Sequence, residues 1–209
     1  MRKFLGVILM MTLVLFCASC MKKEKGAEGN LINDTSLFNN VCTAEEALEK
    51  AKQADTVVME FAGCTSGSEV WDKFYARVKD GKPASVLCAE YYTLDKEHVS
   101  EELYEEDKDK YPLLYFYLID FDGNSFNVKI RKSDETSIES QESYKCLLRL
   151  TGDAPETALY DSYVRYVLAD DPELTWEDIE KSMLDSSSPE FIRHCSVYEE
   201  FKGWKGACS

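Results

Sequence analysis

The chain has 209 residues, of which 24 are Lys or Arg and 39 are Asp or Glu, giving a net charge of −15. Hydrophobic residues make up 44% and charged residues 30%, with 10 Gly and 5 Pro, which excludes collagen-like, low-complexity and wholly disordered chains and suits one ordinary globular domain. A single continuous apolar stretch excludes a multi-span membrane protein, and so acidic a balance opposes nucleic-acid binding, which needs a basic face to displace condensed counterions.

Arg2 and Lys3 precede an uncharged run over residues 4–16. As a helix that run rises about 20 Å, short of a hydrocarbon core of about 30 Å, so it reads as a secretory leader. It closes on Leu15-Phe16-Cys17-Ala18-Ser19-Cys20, which resembles the lipobox of bacterial lipoproteins. Ala18 and Ser19 stand at the small positions, Cys20 at the acceptor and Cys17 where Leu is usual. The resemblance implies cleavage before Cys20, acylation of its thiol with a palmitate-type diacylglyceryl group, and anchoring on the extracytoplasmic face of the cell membrane. Two or more acyl chains, at about 0.8 kcal/mol per buried CH₂, make a lasting tether. Loss of Arg2 and Lys3 with the leader takes the net charge from −15 to −17, so the body is held off anionic surfaces. The domain plan is therefore a signal peptide over 1–19, a tether over 20–42 and one globular domain over 43–209.

Within that domain three helix starts carry capping-box chemistry: Thr43 with Glu46, Ser66 with Glu69, and Thr175 with Asp178. The first opens a stripe of Ala44, Ala47, Leu48 and Ala51; the second opens one of Val70, Trp71, Phe74, Tyr75 and Val78; the third carries Trp176, Ile179 and Met183. Ser188-Pro189-Glu190 marks a fourth start, with Pro at a tolerated first-turn position. Between the helices the period changes to two. Strands are predicted over 85–93, 113–121, 126–132, 143–150 and 160–169, with a brief one over 56–60 at the sheet edge. Asp122-Gly123-Asn124 turns the second of these into the third, and Phe126, Val128 and Ile130 alternate with Asn127, Lys129 and Arg131 as a buried face and a wet one. The expected fold is α+β: a mostly antiparallel sheet of about five strands in a meander, with helices packed on one face.

Candidate chemistry is sparse. His98 and His194 are the two histidines, and Cys64, in a Gly63-Cys64-Thr65-Ser66-Gly67 loop ahead of a helix, is the one loop thiol that a helix dipole would activate. Six cysteines remain in the domain, at positions 42, 64, 88, 146, 195 and 208, and Cys195 with Cys208 is the best-placed disulfide, tying the terminus to the last helix. No spacing suits zinc, and Asp120-Phe121-Asp122-Gly123-Asn124 fails as a calcium loop because position twelve is Arg131. No cofactor motif occurs. The acidic run over residues 101–107 reads as a solvated rim with Lys108 and Lys110 as local partners. Tyrosines at 91, 92, 115, 117, 160, 163 and 166 crowd the strands and suit core pairs or an exposed binding row.

Thr151-Gly152-Asp153-Ala154-Pro155 and Thr175-Trp176-Glu177-Asp178-Ile179-Glu180 resemble stretches of uncharacterised exported proteins from anaerobic Gram-positive bacteria, a likeness that implies no activity. The sequence thus points to a membrane-anchored, non-catalytic binding or accessory module, partnered by the bilayer through Cys20 and by an envelope protein or glycan. The alternative is a small surface enzyme, either a thiol enzyme using Cys64 with His98 or His194, or a carboxylate-based hydrolase. A deep pocket holding two buried carboxylates favours the hydrolase.

Overall fold

The computed structural model describes residues 36–97, 99–184 and 191–205. Cys20, His98 and Cys208 lie outside the described residues. A single turn, α1 (Ser36–Asn39), precedes α2 (Ala44–Gln53), where the Thr43 hydroxyl accepts the Glu46 N–H at 3.3 Å and Ala44, Ala47, Leu48 and Ala51 are buried as their spacing predicts. The chain then runs through β1 (Val57–Glu60) and β2 (Gly63–Ser66) into α3 (Ser68–Lys79). The expected Ser66 cap is not formed. Gly67, with φ 76°, takes the cap position, because any Cβ there meets the Thr56 carbonyl oxygen; Ser66 finishes a strand instead. The supposed Cys64 loop is therefore β2 itself.

Next come β3 (Ala84–Tyr92), α4 (Glu101–Asp107), β4 (Leu113–Phe121), β5 (Phe126–Lys132), β6 (Ser140–Tyr144), β7 (Cys146–Asp153) and β8 (Ser162–Ala169). No residue of α4 is buried, and Lys108 and Lys110 pair with Glu105 and Asp107, as a solvated rim requires. At α5 (Trp176–Leu184) the capping box forms in full: Thr175 N–H donates to Asp178 Oδ2 at 3.0 Å and Asp178 N–H to Thr175 Oγ1 at 3.2 Å. The last element is β9 (His194–Lys202), a strand where the Pro-led signal predicted a helix. Pairing with β8 along its whole length, and with β2 at Gly63–Glu200, overrides the local signal.

The five-stranded meander is wrong. Among the described residues nine strands form one mixed sheet in the order β6-β5-β4-β3-β1-β2-β9-β8-β7. Two separate meanders, β3 to β6 and β7 to β9, flank the β1–β2 pair. The brief strand β1 lies inside the sheet rather than at its edge, parallel to β3 and antiparallel to β2. The single strand expected over 143–150 is bent at Lys145 into β6 and β7, which occupy opposite edges of the sheet. One residue joins the two edges, so the sheet must curl into a half-barrel.

Helices pack on both faces, not one. Inside the curl, Val57, Val86, Cys88, Ile119, Val128, Tyr144, Val164, Leu168 and Val197 form one core with Trp71 and Phe74 of α3. Outside it, α1 and α2 cover Val58, Leu87, Leu114, Phe116 and Leu118. Each large apolar side chain so buried contributes about 1.5–3 kcal/mol. This outer layer also corrects the expected wet face of β5. Arg131 is 3% exposed, and its guanidinium donates to the backbone oxygens of Phe38, Asn40, Lys132, Ser133 and Glu135. It thereby holds the segment before α2 against the sheet.

Candidate functional site

Because β1 runs parallel to β3, and β9 antiparallel to β2, the C-terminal ends of β1, β3 and β9 emerge at the same end of the curl. The connection between β7 and β8 returns at that end. Together they enclose a cleft of about 450 Å³ lined by Glu60, Glu90, Glu199 and a wall of aromatic rings. Tyr160 stacks on Phe201 with centroids 4.3 Å apart, Trp204 lies parallel to Tyr160 at 6.4 Å, and Phe61 meets Trp204 edge-on at 5.5 Å. Phe61, 70% exposed, forms a lip.

The three carboxylates differ in their partners. Glu60 is matched by Lys52 at 3.0 Å and accepts the Thr65 hydroxyl at 2.5 Å. Glu199 is matched by Arg165 at 3.2 Å, whose guanidinium lies 3.8 Å from the Trp176 ring and 4.7 Å from that of Tyr163. Glu90 has no ion pair among the described residues; the Tyr92 and Tyr117 hydroxyls are the polar groups beside it. Burial pushes the Glu90 carboxyl above the ordinary carboxylate range, against the pull of those two hydroxyls. Glu199 is also raised by burial, with Arg165 lowering it and Glu90 adding to the rise. Burial and the neighbouring Glu90 drive Tyr92 and Tyr117 far above the usual phenol value, so both remain hydroxyl donors.

This has a stability consequence. In the folded chain Glu90 holds its proton to higher pH than in the unfolded chain. Its contribution to stability is complete below the ordinary Glu pKa of about 4.3 and is lost as pH rises through the raised folded value. Glu90→Gln keeps the shape and the acceptor without the charge. It is expected to raise Tm at pH 7–8 by about 2–4 °C, roughly 1 kcal/mol, and to flatten the decline of stability above about pH 5. Calorimetry between pH 4 and 8 checks this; wild type and variant falling in parallel contradicts it.

The residues singled out from sequence are mostly elsewhere. Cys64 is half-buried in β2, its thiol donates to the Ser66 carbonyl at 3.4 Å, and burial raises its pKa, the reverse of activation. β2 meets β9 near Glu200, whereas His194 begins β9, about 20 Å up the strand. No Cys64–His194 dyad exists. Cys195 is pushed up to about 12 by burial and by Glu142 and Glu90, while its expected disulfide partner Cys208 lies outside the described residues. The other candidate imidazole, His98, and the lipid acceptor Cys20 do too. Among the described residues no group of three or more His, Cys, Asp or Glu is placed to hold a metal. In the Asp122 turn the carboxylate accepts the Asn124 and Ser125 N–H groups, both at 2.8 Å, so the turn alone accounts for it. The tyrosines divide: Tyr166 is core against Trp71, Tyr163 flanks Arg165, and Tyr92, Tyr117 and Tyr160 serve the cleft or its floor.

Sequence reasoning missed Glu90, Glu199, Phe61, Phe201 and Trp204. A signal for the first was present. Ala84, Val86 and Cys88 share the inner face of β3 with Glu90, so an acid interrupts an apolar series on a core-facing stripe. The Pro-led helix signal at Ser188-Pro189-Glu190 conceals Glu199 and Phe201, whose shared strand face exists only in β9. No family model matches this chain, and neither a curated protein nor a solved structure shows significant similarity to it.

Proposed function

We propose that this chain is a binding module held on the extracytoplasmic face of the membrane by acylated Cys20, and that the cleft between β3, β9 and the β7–β8 connection takes its ligand. The observation that carries the reading is the convergence, from four separate parts of the chain, of an aromatic wall and half-buried carboxylates on one 450 Å³ cleft. Ring faces and acceptors in a partly dry site are the ordinary means of recognising a small ligand or one residue of a polymer. The basic start, the apolar run and the Ala18-Ser19-Cys20 sequence support the tether.

One observation favours the hydrolase reading: Glu90 and Glu199 share the cleft and are both raised. The binding reading leads because Arg165 holds Glu199 in an ion pair, and the side chain is engaged rather than free to exchange protons. Equilibrium dialysis against soluble fragments of cell-wall polymer separates the two. Retention of unaltered fragments, weakened at least ten-fold in Phe201→Ala, fits the binding module. Bond cleavage abolished by both Glu90→Gln and Glu199→Gln replaces it with the hydrolase. Transfer of the chain from membrane to soluble fraction in Cys20→Ala tests the anchor.

A further inference from the structure

We infer that the ligand of the cleft is a small organic cation, an ammonium head on an apolar body, received by Glu90 against the aromatic wall. This rests on the cleft being a binding site and names the chemistry it selects. The argument begins with charge. Of the three acids lining the cleft, Glu60 and Glu199 each have a cation within 3.2 Å and Glu90 has none among the described residues. A carboxylate withdrawn from water and left unpaired is costly, and a cation entering from solvent removes that cost.

The protein already displays the same recognition next door. Arg165 is held by a carboxylate, Glu199, on one side and by the faces of Trp176 and Tyr163 on the other. The cleft sets a second acid, Glu90, against the neighbouring Tyr160, Phe201 and Trp204 group. Arg165 reaches only the near edge of that wall, donating to the Tyr160 hydroxyl at 3.3 Å and lying 5.8 Å from the Phe201 centroid, and it is paired with Glu199 rather than Glu90. A divalent metal fits less well, since it needs six or more oxygen ligands and most of this wall is carbon. The neighbours of Glu90 are phenols rather than further acids, which suits a ligand that needs a charge more than a dense set of oxygen ligands. A chain of net charge −15 draws such cations in from a distance, and added salt weakens that attraction.

The test pairs cations with neutral isosteres. Calorimetric titration of the intact chain with choline and with n-butylammonium, against 3,3-dimethylbutan-1-ol and 1-butanol, is expected to show at least ten-fold tighter binding of each cation. Glu90→Gln should cut cation affinity at least ten-fold and leave the alcohols unchanged; its unfolding curve shows that the fold is intact. Phe201→Ala, which leaves Glu90 in place, should weaken the cations as well. Equal binding of cations and isosteres, or indifference to Glu90→Gln, overturns the inference. If chitotriose binds in the cleft and the cations do not, the cation assignment fails while the binding site stands. If neither class binds, both fall.

Discussion

Arg131→Ala is expected to cost about 3–5 kcal/mol of stability, as removal of a buried, fully engaged charge does. The guanidinium lies between the rings of Phe38 and Phe116, each with its centroid 5.5 Å away, and serves five backbone oxygens on two stretches of chain. Truncation strands those carbonyls, at about 1–3 kcal/mol for each that finds no water. Two of them, on Phe38 and Asn40, belong to the segment that α1 lays over the sheet. The variant should therefore show a second effect. The segment detaches before global unfolding, amide exchange speeds up between Asn39 and Ala47, and the urea m-value falls because less surface remains to be exposed. Arg131→Lys should recover little, since a point ammonium cannot reproduce a planar fork of five donors. Arg193→Ala is the control. Arg193 joins Glu142 and Asp170 through side chains 37–48% exposed, and its loss should cost under about 1 kcal/mol. Equal midpoints for the two alanine variants contradict the carbonyl cradle.

Trp71→Ala is expected to cost a comparable amount, about 3–5 kcal/mol, for a different reason. Trp71 is 1% exposed, stacks on Tyr198 at 4.8 Å, meets Tyr166 edge-on at 5.1 Å and packs on Phe74 at 5.4 Å. Those contacts cross the weakest line of the sheet. Between β2 and β9 the backbone ladder is reduced to one pair, Gly63 with Glu200, so α3 joins the two halves largely through side chains. The cleft draws residues from both halves. Loss of the indole should accordingly weaken ligand capture in the cleft as well as stability, though Trp71 lines no part of it. Trp71→Phe, which retains a ring, should lose less than half as much stability. Urea midpoints of the three proteins, with cleft binding measured well below each transition, decide the matter. A destabilised Trp71→Ala that binds as wild type shows that the halves stay in register without the indole.

The site was harder to read from sequence than the elements around it. Tyr92, Tyr117 and Tyr160 were visible as aromatics on strands, but whether such a ring faces core or cleft depends on which strand lies beside it. Glu90 is one acid among 39; alternation along β3 puts it on the stripe of Ala84, Val86 and Cys88, but only the folded sheet shows that this stripe faces the inside of the curl and ends at the cleft. The thiol candidate failed for the complementary reason. Gly63 and Gly67 looked like loop residues because glycine permits positive φ, yet their freedom serves a tight hairpin and a helix cap on either side of a strand.

What the residues settled on their own was local. The Thr43 and Thr175 caps and the arms of the 113–121 and 126–132 hairpin depend on groups within a few positions of each other, so spacing was enough. So did the alanine stripe of α2. The tertiary structure decided everything that rests on partners far apart in sequence: the interior place of β1, the extended form of 194–202, the bend at Lys145 that turns a sheet into a half-barrel, and the burial of Arg131 under the segment before α2. Backbone pairing is nearly blind to side-chain identity, and the free energy that chooses among pairings comes from burial summed over the whole core. That sum exists only once the chain has closed on itself, and the cleft exists only at the same moment.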